Sequence, residues 1–350
     1  MRTIHVEYIW NSGDNSSEIK SKSRLLSLPD SLFDSEGGFE LTNKDIPIWS
    51  FDGFESDHDS DGELILVPCF LANNPLKANS LIALCEVFDE DLKPTKSSHR
   101  SDLSMLYKDA INDGLDPMLI ISFRQQYLVK PPNSTLLPDD YLNGYCSNGS
   151  SKVLGRGLAE KHLNACIMAG LAISELSPLS AFGQWQFGVG GSGMSSITVC
   201  DHLLVARFLL NRLAEIEGFR VDLSHFPEVS ETQIKSNLIM AISTDLTREE
   251  EGLKSVKELC RKLCTKTAMK RHALSYGREY FSEIYSDEDK PSWGPASSKN
   301  LIRIPWSTMR SNKGGLEDHR PGSDANPYLV LSSFVKTTID IKKKHKKTEE

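Results

Sequence analysis

The sequence contains no apolar run of the roughly 20 residues needed to span a bilayer. Its most apolar stretch, Leu64 to Ala72, is interrupted by Pro68. Nor is there an excess of positive charge. In 350 residues, 40 Lys and Arg stand against 48 Asp and Glu, a formal charge of -8, so no chain-wide basic field exists to hold a phosphate backbone or anionic lipid. The expectation is no nucleic acid partner and no membrane partner. The opening Met1-Arg2-Thr3-Ile4-His5-Val6-Glu7 lacks a basic region followed by an apolar one, so a cytoplasmic location is expected. The cysteines, at 69, 85, 146, 166, 200, 260 and 264, are odd in number and without CxxC spacing, which reads as reduced, mostly buried thiols. No internal repeat is present. What remains is ordinary globular composition, with 39% hydrophobic, 25% charged and 8% aromatic residues, in a chain long enough for about two domains.

Residues 1–96 read as a small β-rich unit. Val6-Glu7-Tyr8-Ile9-Trp10 favours a strand and is ended by the turn residues Asn11-Ser12-Gly13-Asp14, while Leu64 to Val67 and Leu81 to Val87 read as buried strands. The polar stretch Pro94-Thr95-Lys96-Ser97-Ser98 marks the boundary with a larger unit, 97–340. There, Ser101 to Asn112 has helical spacing, Met118 to Val129 resembles a strand, and Leu158 to Leu176 and His202 to Ala214 are amphipathic helix candidates. Glu249 to Leu263 is another, with Thr247 as N-cap. Strands and helices in separate runs point to an α+β fold. The last segment, 341–350, is lysine-rich and reads as a basic flexible tail.

Some apparent motifs fail inspection. Asp57-His58-Asp59-Ser60-Asp61-Gly62 opens like a calcium loop, but the twelfth position, which requires a bidentate Glu, is Pro68, leaving an acidic surface turn. Gly188-Val189-Gly190-Gly191-Ser192-Gly193 lacks both the GK[ST] ending of a phosphate loop and the downstream acid of a dinucleotide fold, and reads as a flexible loop. Cys260 and Cys264, with His272 beyond, lack the second ligand pair of a zinc site.

Several ordered segments resemble one family: Ile46-Pro47-Ile48-Trp49-Ser50-Phe51-Asp52-Gly53, Lys152-Val153-Leu154-Gly155-Arg156, Gln184-Trp185, Asp201 to Phe208, Ser243-Thr244, Ile302-Arg303-Ile304-Pro305 and Glu317-Asp318-His319-Arg320-Pro321. Together they resemble eukaryotic-type glutamine synthetase over about residues 6 to 338. The resemblance implies a small β-grasp domain, a larger α+β catalytic domain, and two stacked rings, usually a decamer, with each active site shared between neighbouring subunits. It also implies ATP-dependent phosphorylation of glutamate followed by displacement by ammonia. In that reaction divalent cations must neutralise and align a carboxylate and a phosphate, and hard cations require oxygen ligands.

The resemblance also implies where those ligands should stand. The Glu-x-Glu-Tyr strand falls on Arg124-Gln125-Gln126-Tyr127, so an arginine and an amide replace carboxylates. The next carboxylates fall on Leu179 and Gln186, and the family histidine on Ile239. Glu317 alone is retained as a metal ligand. Of the family's phosphate- and carboxylate-binding arginines, positions 298 and 319 are Ser298 and His319, whereas Arg303 remains. The glycine-rich glutamate loop falls on Ile234-Lys235-Ser236-Asn237. Asp52, the ammonium-binding position, is kept, although Asp52-Gly53 is equally an ordinary turn pair. Ser243 and Arg303 are the positions of ATP contacts.

These replacements imply a glutamine synthetase-like pseudoenzyme with a structural or regulatory role. It would form a homo-oligomer or a mixed ring with an active paralogue, and no cofactor is expected. Two alternatives remain open. One is an active ligase with rebuilt metal ligands, using ATP and Mg²⁺ or Mn²⁺, with Asp52, Glu55, Glu160 and Asp201 as candidate replacements, although Glu160 and Asp201 look like helix surface and cap residues. The other is a nucleotide or amino-acid sensor. The exchange of signs at 124 predicts an ion pair between Arg124 and Glu317, since a guanidinium can fill a cation-shaped gap between acids.

Overall fold

The computed structural model describes residues 1–12, 18–33, 39–54, 62–131, 144–227, 234–276, 292–295, 297 and 300–349, with side chains as far as residue 343. The chain is α+β and contains two sheets. The first has the order β2-β1-β5-β4-β3, built from β1 (Arg2–Asn11), β2 (Ile19–Leu28), β3 (Trp49–Asp52), β4 (Glu63–Asn73) and β5 (Ser80–Phe88). β1 runs parallel to β5, and the other pairs are antiparallel. Period-two alternation sorts the side chains of β1. Ile4, Val6, Tyr8 and Trp10 enter one core, while Ile9 enters the other. Leu81, Ala83, Cys85 and Val87 of β5 likewise oppose Ile82 and Leu84. Burial on both faces explains why β5 reads as a continuous apolar run.

The chain then forms α1 (His99–Asn112), β6 (Ile120–Lys130), α2 (Arg156–Met168), β7 (Ile173–Pro178), β8 (Gln184–Gly190), α3 (Ser196–Glu217), β9 (Arg220–Asp222) and β10 (Leu238–Ser243). After these come α4 (Asp245–Arg248), α5 (Leu253–Leu263), α6 (Lys266–Ser275), β11 (Trp293–Pro295), β12 (Ile302–Ile304), α7 (Trp306–Ser311), β13 (Leu316–Asp318) and α8 (Pro327–Glu349). The second sheet has the order β11-β12-β13-β10-β6-β8-β7, with β9 also pairing β6. α3 is buried almost all round and packs on one face of this sheet, where Ile121, Phe123, Tyr127, Phe187 and Val189 meet it. From α3, the fully buried Arg207 donates to Gln125 Oε1 at 2.7 Å and to the carbonyls of Ser323 (2.9 Å) and Ala325 (3.1 Å).

One core crosses both halves of the chain, because Ile9, Ala72, Ile82 and Leu84 of the first sheet pack with α1 and α3. A buried charge cluster lies at this junction. Arg100 of α1 donates to both Asp201 oxygens (2.9 and 3.0 Å) and to Glu86 of β5 (3.3 Å), while Tyr328 Oη donates to Asp201 at 2.6 Å. Asp201 is therefore an interior anchor, not a helix cap. Glu160 does lie on an exposed helix surface, near Arg156 at 3.6 Å.

Several local expectations are corrected. The helix begun at 156 stops at Met168, because Gly170 adopts φ +80°, and Ile173–Pro178 is strand rather than helix. Gly188 and Gly190 close β8, and Gly188 is buried in the sheet, so that end of the glycine run is strand and not loop. Thr244, not Thr247, caps α4, with Thr247 closing the capping box, and a separate α5 begins at Leu253. The segment from 341 continues α8 to Glu349. Its first residues are packed, with Ile341 buried and Lys342 bonded to Asp245 and to the Asp116 carbonyl. Asp57 to Asp61 and Glu55 lie outside the described residues.

Among the described residues, no group of three or more His, Cys, Asp or Glu is placed to hold a metal ion, and no helix is long and apolar enough to cross a membrane. Cys260 is buried in α5, and His272 stacks on Tyr276 with centroids 5.0 Å apart.

Candidate functional site

Alternation along β6 sends Phe123, Gln125 and Tyr127 toward α3 and leaves Arg124 and Gln126 on the opposite face of the sheet. Register assigns their neighbours. Gln126 pairs with Gln186, Arg124 with Gly188 on β8 and Ile239 on β10, and Gly188 in turn stands beside Glu175 on β7. On the other side, Glu317 of β13 pairs with Ala241 of β10 and with Arg303 of β12.

Small residues let the charged side chains cross the intervening strands. A Cβ at Gly188 would lie 2.4 Å from Ser174 Oγ and 2.6 Å from Glu175 Cγ, so glycine there is the space through which Glu175 reaches Arg124. Arg124 Nη2 donates to Glu317 Oε1, and Arg124 Nε lies 3.6 Å from Glu175 Oε1. Glu317 also faces His319 Nε2 at 3.1 Å and Arg303 Nε at 3.6 Å. The amides complete the cluster. Gln126 Nε2 donates to Gln186 Oε1 (3.2 Å), Gln186 Nε2 to Glu175 Oε1 (2.9 Å), and the Asn237 amide to Gln126 Oε1 (2.9 Å).

Glu317 is the electrostatic hub. Burial alone would raise its pKa, but the hydrogen bond from His319 and the charge of Arg124 outweigh burial and hold it at about 2. A carboxylate so tightly compensated is ionised throughout the physiological range.

The structure thus brings Arg124, Gln126, Gln186, Ile239, Arg303, Glu317 and His319 onto one sheet face. Leu179 follows β7 and is half-buried, its backbone N–H donating to the Gln184 carbonyl at 2.8 Å. Ser243 ends β10 and accepts from Arg248 Nη1 at 3.1 Å. Asp52 is elsewhere, exposed on the first sheet, with Oδ1 accepting from the Phe54 amide at 3.0 Å as an Asx turn does. Ser298 lies outside the described residues. Glu175 is the member that sequence reasoning missed. It lies inside the segment expected as helix; as strand after Gly170, it falls beside Gly188 and thus in the row of Arg124.

The chemical capacity of this face is that of a charge-balanced ion-pair network. Among the described residues its carboxylates are Glu175 and Glu317, both engaged by Arg124.

No protein-family profile matches the sequence. Individual relatives do. The chain is 29% identical to a glutamine synthetase of Streptomyces hygroscopicus over 350 residues, covering 96% of each chain. It is 29% identical to a putative glutamine synthetase of Acanthamoeba polyphaga mimivirus, with 96% of this chain and 94% of that one covered. It is 28% identical to the cytosolic isozyme 1-1 of Oryza sativa subsp. japonica at the same coverage. Similarity along almost the whole chain, in an α+β fold, supports the glutamine synthetase family for this protein.

Proposed function

We propose that this chain is a glutamine synthetase-like pseudoenzyme, built from a β-grasp-like domain (1–96) and a catalytic-type domain (97–340), that has exchanged ligation for a role in assembly. The observation that carries this is the guanidinium of Arg124 between Glu317 and Glu175, where the family resemblance implies a divalent cation.

The residues present do not fit such a cation. Mg²⁺ and Mn²⁺ want about six oxygens, usually one or two carboxylates with waters and substrate phosphates. Here Glu317 and Glu175 are occupied by a permanent cation, and the oxygens of Gln126 and Gln186 already accept hydrogen bonds. Arg303 adds positive charge at the same point, and His319 Nε2 already bonds Glu317 Oε2. Loss of a single supporting group typically costs 10- to 100-fold in metal affinity or activity, and here an arginine, two amides and two aliphatic side chains replace the set. ATP and metal would be cofactors only of an active ligase, and no catalytic step is assigned to this face.

Retained elements suit assembly better than turnover. Asp52 is exposed on the first sheet, where the family arrangement would present it to a neighbouring subunit. Either a homomeric ring or a mixed ring with an active paralogue, decameric in the family pattern, follows from that arrangement, in the cytoplasm.

The test is glutamine formation by the purified chain with ATP, Mg²⁺ or Mn²⁺, glutamate and isotope-labelled ammonium, beside a Glu317→Ala control. No label above the control is expected. Labelled glutamine that disappears in the variant would overturn the proposal and establish a rebuilt ligase. Mass measurement of the native particle, alone and mixed with an active glutamine synthetase, tests the ring; a monomer under both conditions would remove the assembly role.

A further inference from the structure

In the sheet order β13-β10-β6-β8-β7, Arg124 stands on the middle strand and its carboxylates come from the two outer ones. Ala241 of β10 and Gly188 of β8 are the small residues at the register positions that Glu317 and Glu175 must pass. The guanidinium therefore links side chains of three strands, β13, β6 and β7, across a span of five, independently of the backbone ladder.

We infer that Arg124 is a tethered cation that does for this sheet what a divalent ion would otherwise do, and that it shuts such ions out. The inference rests on the family reading only for what Arg124 replaces. The geometry supplies the rest. A guanidinium is charged at every accessible pH and offers a planar fork to carboxylates on either side. Because it is covalently attached, it cannot be diluted away or chelated. A dication could reach Glu317 and Glu175 only by expelling Arg124, and would then share the face with Arg124 and Arg303, both repelling it. The fold should accordingly be indifferent to divalent cations and to chelators, and removal of Arg124 should reverse that indifference by freeing two carboxylates of opposite strands.

The experiment uses the full chain, with thermal unfolding followed in EDTA and in millimolar Mn²⁺, and Mn²⁺ binding read by electron paramagnetic resonance. For the wild type, the same midpoint in both solutions and no saturable bound Mn²⁺ are expected. For Arg124→Met, the midpoint in EDTA falls by roughly 5 °C and is partly recovered by Mn²⁺, with a bound signal that the double variant Arg124→Met/Glu317→Gln loses. Arg124→Lys keeps the charge and is expected to remain blind to Mn²⁺. Should Arg124→Met fail to fold, the wild-type and Arg124→Lys measurements still decide. Saturable Mn²⁺ binding by the wild type, abolished in Glu317→Gln, overturns the inference, as does an Arg124→Met variant as stable as the wild type in EDTA. The two conclusions fail separately. Turnover by a chain that ignores Mn²⁺ at Glu317 ends the pseudoenzyme reading alone, whereas Mn²⁺ at Glu317 without turnover ends this one alone.

Discussion

Glu317→Gln removes the one negative charge on which Arg124, His319 and Arg303 converge, while preserving volume and some hydrogen bonding. The wild-type carboxyl, 8% exposed, is shifted from its ordinary 4.5 to about 2. At about 1.4 kcal/mol per pKa unit, ionisation of this group in the folded state contributes about 3 kcal/mol. Partial exposure of Arg124 and Arg303 lets water recover some of what the variant loses, so a net cost of about 2 to 3 kcal/mol is expected. Urea unfolding of both proteins at neutral pH measures it. The sign of the pH dependence supplies a second reading. Because the folded pKa lies below the unfolded one, this stabilisation is complete above about 4.5 and is lost as the pH falls toward about 2. The gap between wild type and variant must therefore close across that window. A gap below about 0.5 kcal/mol at neutral pH, the level of ordinary surface substitutions, or one that does not narrow in acid, would refute the hub role.

Other substitutions probe the supports of the same architecture. Gly188→Ala drives a methyl into Ser174 and Glu175 and should cost about 1 to 3 kcal/mol, read by denaturant midpoint; an unchanged midpoint would show that Glu175 does not need this gap to reach Arg124. Asp201→Asn leaves Arg100 with Glu86, at 3.3 Å, as its remaining charge partner at the junction of the two halves, and a loss of about 3 kcal/mol is expected by the same assay; a neutral result would remove Asp201 as the interior anchor. Arg207→Met strands the acceptors Gln125 Oε1 and the Ala325 carbonyl, each worth about 1 to 3 kcal/mol when buried unpaired, while the Ser323 carbonyl keeps Gln125 Nε2 at 3.0 Å. Less than about 1 kcal/mol in total would mean that water replaces the guanidinium.

Much of this was legible in the residues. The apolar runs of β1 and β5, the period of α1 and the central part of α3, 202–214, announce themselves, because burial imposes a regular pattern on each, whereas the turns of α3 from Ser196 and to Glu217 do not. The Arg124 to Glu317 ion pair, expected from the resemblance, is present as well. What escaped has physical reasons. β7 is short and follows α2 after only a brief turn, so its apolar residues extended the helical pattern until Gly170 was given its left-handed conformation. Glu175 was lost with it. Gly188 looked like loop because its role is negative, to have no side chain where a neighbour's must pass, and only strand register reveals that. Asp201 has the position of a helix-face residue, and only the partners Arg100 and Tyr328, distant in sequence, make it interior.

The side chains of this face pair with one another over most of its extent. Gln126 meets Gln186 and the Asn237 amide, Gln186 meets Glu175, and Arg124 meets both glutamates, while Arg303 Nε, 3.6 Å from Glu317, and Asn237 Oδ1 are buried without a hydrogen bond. A buried polar group left unpaired costs about 1 to 3 kcal/mol, so the pairing is extensive but not complete. If Arg124 provides the charge balance of this face, an acid at position 124 should be worse than deletion of its charge. Arg124→Glu places a third carboxylate against Glu175 and Glu317 with no cation between them. Charges about 4 Å apart at an effective dielectric of about 20 repel by about 4 kcal/mol, which partial exposure of Glu175 reduces to about 1 to 2 kcal/mol beyond the loss in Arg124→Met. Denaturant unfolding in EDTA should therefore rank wild type above Arg124→Met and Arg124→Met above Arg124→Glu, with Mn²⁺ helping the last most. An Arg124→Glu protein as stable in EDTA as Arg124→Met would show that the face tolerates unbalanced charge, and that Arg124 is not what balances it.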